Sequence, residues 1–392
     1  MGMLLRRHSD TPCAVVTGGQ INGLGLVRSL AREGVPTLLL DTDHRDPSMH
    51  TRYGRKLEIS SLEGAQLIEE LLQVRSGFSS APVLFLTQEK SVFAVARHLD
   101  RIAEAYRLSM PAASVMDSLM DKAHFQSLAE RLGFAVPRAA LLRDTRDLSQ
   151  AHRLTFPCVL KPFSRTGIVD PNRPKAFRVE SCGDLERILE DLDYPPDFIL
   201  QEWIEGGDDS IYFCLQFRSR EGVALASFTG RKLRSWPPRI GGTASCVPAP
   251  EHAAALTEQT DAFFSAAGFV GMGSMEFKRD TRTGRFVMIE PTVGRTDFQE
   301  EIATLNGVNL PYIAYCYEAG MRPDDRTPSS PPASWAISPE DRWSEELQPD
   351  GMRGFPAGLR RYDAVWRLGD PLPWCYAFAR RCKQSFEARK WF

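Results

Sequence analysis

The most informative part of the sequence is residues 271–291, GMGSMEFKRDTRTGRFVMIEP. Its two apolar runs, 271–278 and 285–291, are typical of β-strands, and a polar turn joins them. In the resulting antiparallel hairpin Glu276 and Glu290 fall nearly opposite each other, so that their carboxylates can share one face. Two like charges that close would destabilise an ordinary sheet, whereas a divalent cation between them removes the repulsion. The hairpin therefore predicts a metal site.

Three further charged features precede the hairpin. Lys122 stands at the start of a predicted helix, Lys161 ends a buried strand, and residues 201–209 (QEWIEGGDD) form an acidic strand and turn. A single lysine or glutamate is usually a solvated surface charge. Together these residues are what a phosphoryl-transfer site needs, because cations contact a triphosphate and carboxylates hold magnesium between its phosphates. The combination indicates a nucleotide and Mg²⁺ as ligands.

The N-terminal part of the chain predicts an α/β domain. Residues 13–41 follow the pattern of a strand, a glycine-rich turn, an amphipathic helix and a second strand. A strand at 83–87 and a helix at about 91–106 continue the alternation, which favours a mostly parallel sheet. The glycine-rich turn resembles a dinucleotide-binding fingerprint, but the spacing of its glycines differs, so a nicotinamide cofactor is not the favoured interpretation.

The pattern changes after residue 116. A helix is predicted over 117–132 with Asp117 as its N-cap, and the strands and helices that follow are segregated, which indicates an α+β region. Residues 321–350 are rich in Pro, Ser and Asp and predict a tether. The terminal segment 359–392 holds eight basic and three acidic residues together with several aromatic ones. This composition suits either a membrane surface or a tail docked on the body of the protein.

Composition excludes several classes of protein. The 392 residues suit two or three domains, and a net charge of −2 provides no global field that would attract nucleic acid. No apolar run approaches the roughly 20 residues that span a bilayer. The eight cysteines show no metal-binding spacing, so reduced thiols in a cytoplasmic protein are the simplest interpretation. A membrane-associated form at the inner face remains the alternative because of the basic terminal segment.

These motifs give the chain a family resemblance. Residues 117–318 resemble an ATP-grasp domain, and the chain to about residue 318 is similar to the carboxylate–amine ligase branch of that superfamily. That branch includes the D-alanine–D-alanine and D-aspartate ligases and carbamoyl-phosphate synthase. The sequence is most similar to uncharacterised ATP-grasp proteins associated with cell-envelope polysaccharide synthesis. The resemblance implies a fold of the α/β and α+β classes, with a Rossmann-like pre-ATP-grasp domain followed by a two-lobed ATP-grasp domain. The implied domains are 1–112, a small lobe at 113–195, a large lobe at 196–320, and a tether with C-terminal extension at 321–392.

The resemblance also implies roles for individual residues. Two lysines contact the phosphates, a hinge meets adenine, an acid binds the ribose, and a third lysine reaches the γ-phosphate. The implied phosphate contacts are Lys122 and Lys161, and the implied hinge is the run Gln201, Glu202, Trp203 and Ile204. The implied ribose contact is Asp208, with Asp209 as the alternative, and Lys232 is the implied contact of the γ-phosphate. The implied metal ligands are Glu276, Glu290 and Thr292, for Mg²⁺ or alternatively Mn²⁺. Residues 163–176 match the loop that closes over the phosphates, although they contain less glycine than is usual.

Two departures from the family pattern concern catalysis. Thr292 stands where the third metal ligand is usually Asn, and Ser274 stands where the ligases carry an arginine that stabilises the acyl-phosphate. Arg295 is the first candidate to replace that arginine and Arg231 is the second. With Lys232 these two arginines form the predicted catalytic group.

The acceptor site is predicted from two segments. Residues 230–246 carry Arg231, Arg234 and Arg239, and guanidinium groups recognise carboxylate or phosphate with paired hydrogen bonds. The alternative is a solvated cationic loop. Residues 87–89 (TQE) follow a strand of the front domain, at the edge where open α/β sheets place their ligands.

The sequence therefore predicts an ATP-dependent ligase that joins a carboxylate to an amine through an acyl-phosphate and releases ADP and phosphate. Its expected partners are ATP, an anionic carboxylate and an amine, and a homodimer is left open. One alternative is an ATP-grasp kinase that phosphorylates a small molecule. The other is a catalytically inactive ATP-binding scaffold in cell-envelope polymer assembly.

Overall fold

A computed structural model describes residues 11–163, 176–192, 197–323, 332–348, 351 and 353–388. Apart from its two end residues, the predicted loop 163–176 lies outside the described residues. No described helix combines the length and the apolar character that a membrane span requires.

The N-terminal domain is a parallel α/β sheet, as the alternation of elements predicted. Its four strands pair in the order β3-β2-β1-β4, and every pairing is parallel. The strands are β1 (Ala14–Thr17), β2 (Thr37–Asp41), β3 (Arg55–Glu58) and β4 (Val83–Leu86). The helices are α1 (Gln20–Ala31), α2 (Gly64–Arg75), α3 (Glu89–Arg97) and α4 (Leu99–Ala105).

The glycine-rich turn between β1 and α1 is closed by carboxylates of its own domain. The backbone N–H of Gly19 donates to Asp41 Oδ2 at 2.5 Å, and that of Gln20 donates to Asp46 Oδ1 at 3.1 Å. Gly19 is required by close packing, since a Cβ there would lie 2.1 Å from Ser48 Oγ. Two anionic groups therefore occupy the helix N-terminus at which a dinucleotide phosphate would otherwise bind.

The second sheet is antiparallel, with strand order β5-β8-β6-β7. It contains β5 (Ala139–Leu142), β6 (Cys158–Pro162), β7 (Phe177–Val179) and β8 (Phe198–Glu202), with α5 (Ala113–Met120), α6 (Lys122–Arg131), α7 (Leu148–Ala151) and α8 (Cys182–Asp191). The structure differs from prediction at two points. The helix predicted over 117–132 is divided, because Asp121 caps α6 by accepting from His124 N at 2.8 Å. In addition, β8 pairs within this small sheet, although the predicted boundary placed it in the large lobe.

The third sheet has seven strands in the order β13-β12-β9-β10-β11-β14-β15. All pairings are antiparallel except β14 with β15. The strands are β9 (Ile211–Arg218), β10 (Ala224–Trp236), β11 (Gly242–Pro248), β12 (Gly271–Arg279), β13 (Phe286–Val293), β14 (Ala333–Ala336) and β15 (Arg360–Asp363). The helices are α9 (Ala253–Ala266), α10 (Glu301–Leu305), α11 (Leu310–Ala319), α12 (Ser338–Leu347) and α13 (Leu372–Ala388).

The C-terminal region is part of this sheet, which corrects the predicted tether. Strand β14 and helix α12 lie within the range predicted as a tether, and β15 lies in the terminal segment. A buried ion pair then fixes the following residues to the N-terminal domain, because Arg28 Nη2 lies 2.9 Å from Asp370 Oδ2. Arg28 also donates to the carbonyl oxygens of Ala364 and Val365, both at 2.9 Å. The C-terminal region is therefore held against the N-terminal domain.

Candidate active site

The hairpin formed by β12 and β13 places its two glutamates as the sequence predicted. Glu276 and Glu290 are direct partners in the register, and both side chains are half-buried. Directly opposed residues of an antiparallel pair point to the same face. The two carboxylates therefore lie side by side on the face that looks towards the small sheet, since Lys122 from α6 reaches it.

Each of these glutamates has a lysine partner. Lys232 Nζ on β10 lies 2.6 Å from Glu276 Oε2, and Lys122 Nζ lies 3.6 Å from Glu290 Oε2. Burial would lower the pKa of Lys232, but Glu276, Asp297 and Glu290 outweigh that effect and hold the pKa above its usual value. Lys232 is thus a buried, charged lysine in the centre of a carboxylate cluster. The structure brings together four residues that the sequence predicted from three separate motifs.

Asp297 is a third carboxylate in this cluster that the sequence reasoning missed. Ser274 and Thr292 are direct partners across the hairpin, and both of their hydroxyls donate to Asp297, at 2.5 Å and 2.7 Å respectively. These are the two positions at which the sequence was expected to depart from the ligase pattern. Both hydroxyls serve to hold one aspartate, which lies on the loop directly after β13. Its position seven residues after Glu290 was the available signal.

Lys278 is a second residue that the sequence reasoning missed. It lies two residues after Glu276 on β12 and so shares its face, and its Nζ lies 4.4 Å from the centre of the Trp203 ring. Burial lowers the pKa of Lys278 to about 8, although Asp208 and Glu276 act in the opposite direction. Lys161, half-buried at the end of β6, is another charge that lowers this pKa. Strand periodicity alone would have identified Lys278.

The predicted hinge is the segment in which the small sheet ends and the chain passes to β9. Gln201 is buried, and its Nε2 donates to Gln126 Oε1 at 3.0 Å. Glu202 accepts from the backbone N–H of Thr155 at 2.8 Å. Ile204 follows half-buried in the connection. The side chains of Gln201 and Glu202 thus hold the hinge in place, and the Trp203 ring is contacted by the cations of Lys278 and Arg178, which leaves the backbone as the surface available to a base.

The two aspartates predicted for ribose binding differ in their surroundings. Asp208 is buried and accepts three hydrogen bonds, from Ser235 N at 2.9 Å, Arg239 N at 3.0 Å and Gln348 Nε2 at 2.9 Å. Asp208 therefore anchors the turn between β10 and β11. Asp209 is only half-buried. The geometry favours the alternative, Asp209, over Asp208 as a ribose contact.

The arginines of the predicted substrate loop do not converge. Arg231 lies opposite Tyr212, which lies opposite Phe277, so it shares their face and points away from Glu276. Arg234 is buried, and its Nε lies 2.6 Å from Asp341 Oδ1. Strand alternation and an internal ion pair thus direct Arg231 and Arg234 away from Glu276, which gives no support to the predicted contact of residues 230–246 with an anionic substrate; that contact stays a prediction. Arg239 is exposed in the turn after β10.

Arg295 instead lines a cavity between the N-terminal domain and the large sheet. The cavity measures about 670 Å³, and its lining includes Asn22, Thr87, Gln88, Glu89, Arg295 and Phe298. Asn22 Nδ2 donates to the carbonyl oxygens of Thr87 at 3.0 Å and Thr296 at 2.9 Å, which ties the two domains together at this point. The predicted residues 87–89 and Arg295 thus share one cavity, and Asp297 lies two residues beyond Arg295 on the same loop.

No protein-family model matches this sequence, and no curated protein matches it. Solved structures do resemble it. The biotin carboxylase domain of Hydrogenobacter thermophilus 2-oxoglutarate carboxylase, determined with ADP, its magnesium salt and bicarbonate, has 14% identity and a TM-score of 0.64 over 81% of this chain and 72% of that one.

Two N5-carboxyaminoimidazole ribonucleotide synthetases are also similar. The enzyme of Thermus thermophilus has 16% identity and a TM-score of 0.61, over 82% of this chain and 81% of that one. The enzyme of Aspergillus clavatus, determined with ADP and 5-aminoimidazole ribonucleotide, has 15% identity and a TM-score of 0.60, over 80% and 78% of the two chains. At such low identity the likeness concerns architecture. The chain therefore has the ATP-grasp fold, with a Rossmann-like domain ahead of two lobes.

Proposed function

We propose that this protein is an ATP-dependent carboxylate–amine ligase. A carboxylate is phosphorylated by ATP to an acyl-phosphate, an amine attacks the acyl carbon, and ADP and phosphate leave. The observation that carries the proposal is the pair Glu276 and Glu290, directly opposed on one face and each accompanied by a lysine. This is the arrangement of opposite charges that γ-phosphoryl transfer requires. Similar folds determined with ADP support the choice of nucleotide.

The carboxylates fit Mg²⁺, with Mn²⁺ as the alternative. Mg²⁺ prefers oxygen ligands and is usually held by one or two carboxylates together with the phosphates of a nucleotide. In the part of the chain that the structure describes, no three acidic, His or Cys side chains form a metal site by themselves. Glu276 and Glu290 would therefore hold the ion jointly with ATP. When bound, Mg²⁺ neutralises phosphate charge and keeps the terminal phosphates in line for transfer.

The lysines would bind the phosphates. Lys122 and Lys232 already lie at the glutamates, and Lys161 and Lys278 lie close enough to influence each other's charge. A buried lysine whose pKa is lowered lacks full compensation of its charge, so an incoming anion stabilises it. The backbone of the hinge at Trp203 would contact adenine, and Asp209 would contact the ribose.

The acceptor substrates would bind in the cavity lined by Arg295. A volume of about 670 Å³ suits a small metabolite. The guanidinium of Arg295 would hold an anionic group, and Gln88 and Glu89 supply hydrogen-bond acceptors for an amine. Arg295 would also take the place of the arginine that the family has at the position of Ser274. Because Arg295 and Asp297 share a loop, we expect the cavity to lie close to the carboxylate cluster.

Product analysis tests the proposal. Purified protein with Mg²⁺ and ATP is screened against pools of carboxylates and amines, singly and paired, and nucleotides are separated by chromatography. We expect ADP and phosphate only, steady turnover only with a pair, and a hydroxamate when hydroxylamine replaces the amine. AMP with pyrophosphate would mean adenylation. A stable phosphoester formed from one hydroxyl substrate would identify a kinase, and ATP binding without any turnover would favour the scaffold.

A further inference from the structure

The C-terminal region exposes apolar side chains in one place. The described part of the chain has 14 large hydrophobic residues that are clearly exposed, and six of them fall between residues 366 and 378. They are Trp366, Leu368, Leu372, Trp374, Tyr376 and Phe378, with Leu368 89% and Phe378 55% exposed. Single exposed apolar residues are normal on a protein surface, whereas a contiguous group marks an interaction site.

Ring contacts show that the aromatic residues form a continuous surface. The rings of Trp366 and Trp374 lie 5.5 Å apart, and those of Trp374 and Phe378 lie 5.3 Å apart in a stacked arrangement. We call Trp366, Trp374 and Phe378, together with Leu368 and Leu372, the aromatic patch. Tyr376 does not belong to it, because its ring stacks on His50 of the N-terminal domain at 3.3 Å.

Helix α13 presents an uncharged face to solvent beside this patch. Cys375, Phe378, Ala379 and Cys382 follow the spacing i, i+3, i+4 and i+7, and all four are exposed. Pro373 is buried and Ala377 is half-buried, so the opposite side of the helix rests on the protein. An apolar helical face of this kind is normally turned towards a core. Here it faces outwards as far as Cys382.

The stretch of sequence that contains this helix is rich in basic residues. Residues 371–392 contain five basic residues and one acidic residue, whereas the whole chain carries a net charge of −2. Arg380 lies 3.6 Å from Asp43 and Arg381 lies 3.3 Å from Glu340, and both arginines remain about half exposed, at 49% and 45%. Such exposed pairs are weak, so either arginine can exchange its carboxylate for another anion at little cost. A net positive stretch of sequence in a slightly negative protein favours an anionic partner.

We propose that the aromatic patch and helix α13 bind the surface of an anionic phospholipid bilayer. The helix would lie in the plane of the interface, with Phe378 and Trp374 among the acyl chains and lipid headgroups, and with the basic residues near the lipid phosphates. Trp side chains favour the boundary between water and hydrocarbon, and an amphipathic helix with basic flanks binds in this manner. This inference does not depend on the proposed ligase activity.

Vesicle co-sedimentation tests the proposal with the full-length protein. Large unilamellar vesicles of phosphatidylcholine with phosphatidylglycerol are compared with vesicles of phosphatidylcholine alone, at low and at 0.5 M salt. We expect partitioning into the anionic vesicles that is roughly tenfold or more stronger than into the neutral ones, because basic residues are attracted to anionic headgroups. Salt should weaken this binding, because it screens that attraction. Equal binding to both lipids, or no binding, would overturn the proposal.

Variants separate the patch from the rest of the surface. The double variant Trp374→Ser/Phe378→Ser should lose about tenfold or more of its binding to anionic vesicles. The matched control is Val223→Ser/Leu225→Ser, since these residues are 56% and 42% exposed elsewhere, and it should bind as the wild type does. Phe378→Ser alone serves if the double variant unfolds. Undiminished binding by the patch variants contradicts the proposal.

A second copy of the chain is the competing occupant. Sedimentation equilibrium without lipid measures self-association of the wild type and of Trp374→Ser/Phe378→Ser. A monomeric wild type at micromolar concentration supports the lipid assignment. A dimer that the patch variant abolishes would instead show that the aromatic patch is a protein–protein interface.

Discussion

At the scale of single residues, Glu290 offers the sharpest test of the site. The variant Glu290→Gln should reduce turnover about 1,000-fold or more, because a neutral amide cannot balance the charge of a divalent cation. Glu290 is 35% exposed and its contact with Lys122 spans 3.6 Å, so the free energy of unfolding should change by less than about 1 kcal/mol. Steady-state kinetics and thermal unfolding measure both quantities. The control Glu258→Gln changes an exposed residue of α9 and should keep full activity.

Asp297 should act through Lys232. The variant Asp297→Asn removes a negative charge that helps to keep the pKa of Lys232 high, while its amide oxygen can still accept from one hydroxyl. We expect kcat to fall about tenfold or more with a much smaller change in the KM for ATP, since Lys232 is assigned to the transferring phosphate. The variant Ser274→Ala should show a smaller decrease in kcat, again with little change in the KM for ATP. A change confined to thermal stability would show that Asp297 has only a structural role.

Glu300 should make the folded state sensitive to pH. Burial, with a smaller effect from the charge of Glu301, raises the pKa of Glu300 to about 8, so that the folded protein keeps a proton that the unfolded chain loses near pH 4.5. Stability should therefore fall as the pH rises from about 4.5 to 8, by up to roughly 1.4 kcal/mol per unit from this group. Denaturant titrations of wild type and Glu300→Gln measure the difference. If both give the same slope, Glu300 titrates normally.

The sequence was most informative where the decisive interaction is local. The opposition of Glu276 and Glu290 follows from the length of one turn, and it is confirmed by the register. The face of the sheet to which the Arg231 side chain points depends on the pairing with β9 and β12. The hydrogen bonds of Asp208 come from β10 and from Gln348. Such long-range pairings leave no periodic trace near the residue itself. For that reason the hairpin could be predicted and the two other environments could not.

At the scale of elements, strand β15 should be indispensable. Truncation after Pro356 removes β15 and α13, exposes the edge of β14, and deprives Arg28 of its buried partner. An unpaired edge strand and an uncompensated buried charge both favour aggregation or unfolding. We expect insoluble protein or a clearly lowered unfolding temperature. A soluble truncated protein with unchanged stability would restore the interpretation of this region as an appendage. Truncation after Ala388, which removes no described strand or helix, is the control.

The C-terminal strands were missed for a physical reason. Strands β14 and β15 have four residues each and lie close to segments rich in Pro, Ser and Gly. Four residues are too few for a convincing alternation of polar and apolar positions. Their stability comes from pairing with each other and with β11, across long stretches of sequence. The composition of this region therefore indicated a tether, whereas pairing between distant segments makes these residues form strands.

At the scale of the whole molecule, the ion pair of Arg28 and Asp370 joins the N-terminal domain to the connection between β15 and α13. Asp370 also accepts from Thr51 Oγ1 at 2.6 Å and from Arg52 N at 2.8 Å. Removing one partner of a buried ion pair costs about 3–5 kcal/mol, so Asp370→Leu should destabilise the protein strongly. The double variant Arg28→Met/Asp370→Leu should recover much of that loss. Chemical denaturation measures the four members of the cycle, and additive effects would exclude the coupling.

The contact between Lys122 and Glu290 has a consequence for the order in which a metal ion and a nucleotide would bind. Lys122 begins α6 and Glu290 lies on β13, so the protein supplies its own counter-ion between two separate elements. A free divalent cation would have to displace that lysine without offering it another anion. A nucleotide that arrives with its metal would exchange both partners at once, since its phosphates would pair with the lysine and the metal with the glutamate. The ion pair thereby favours joint binding of metal and nucleotide over binding of the metal alone.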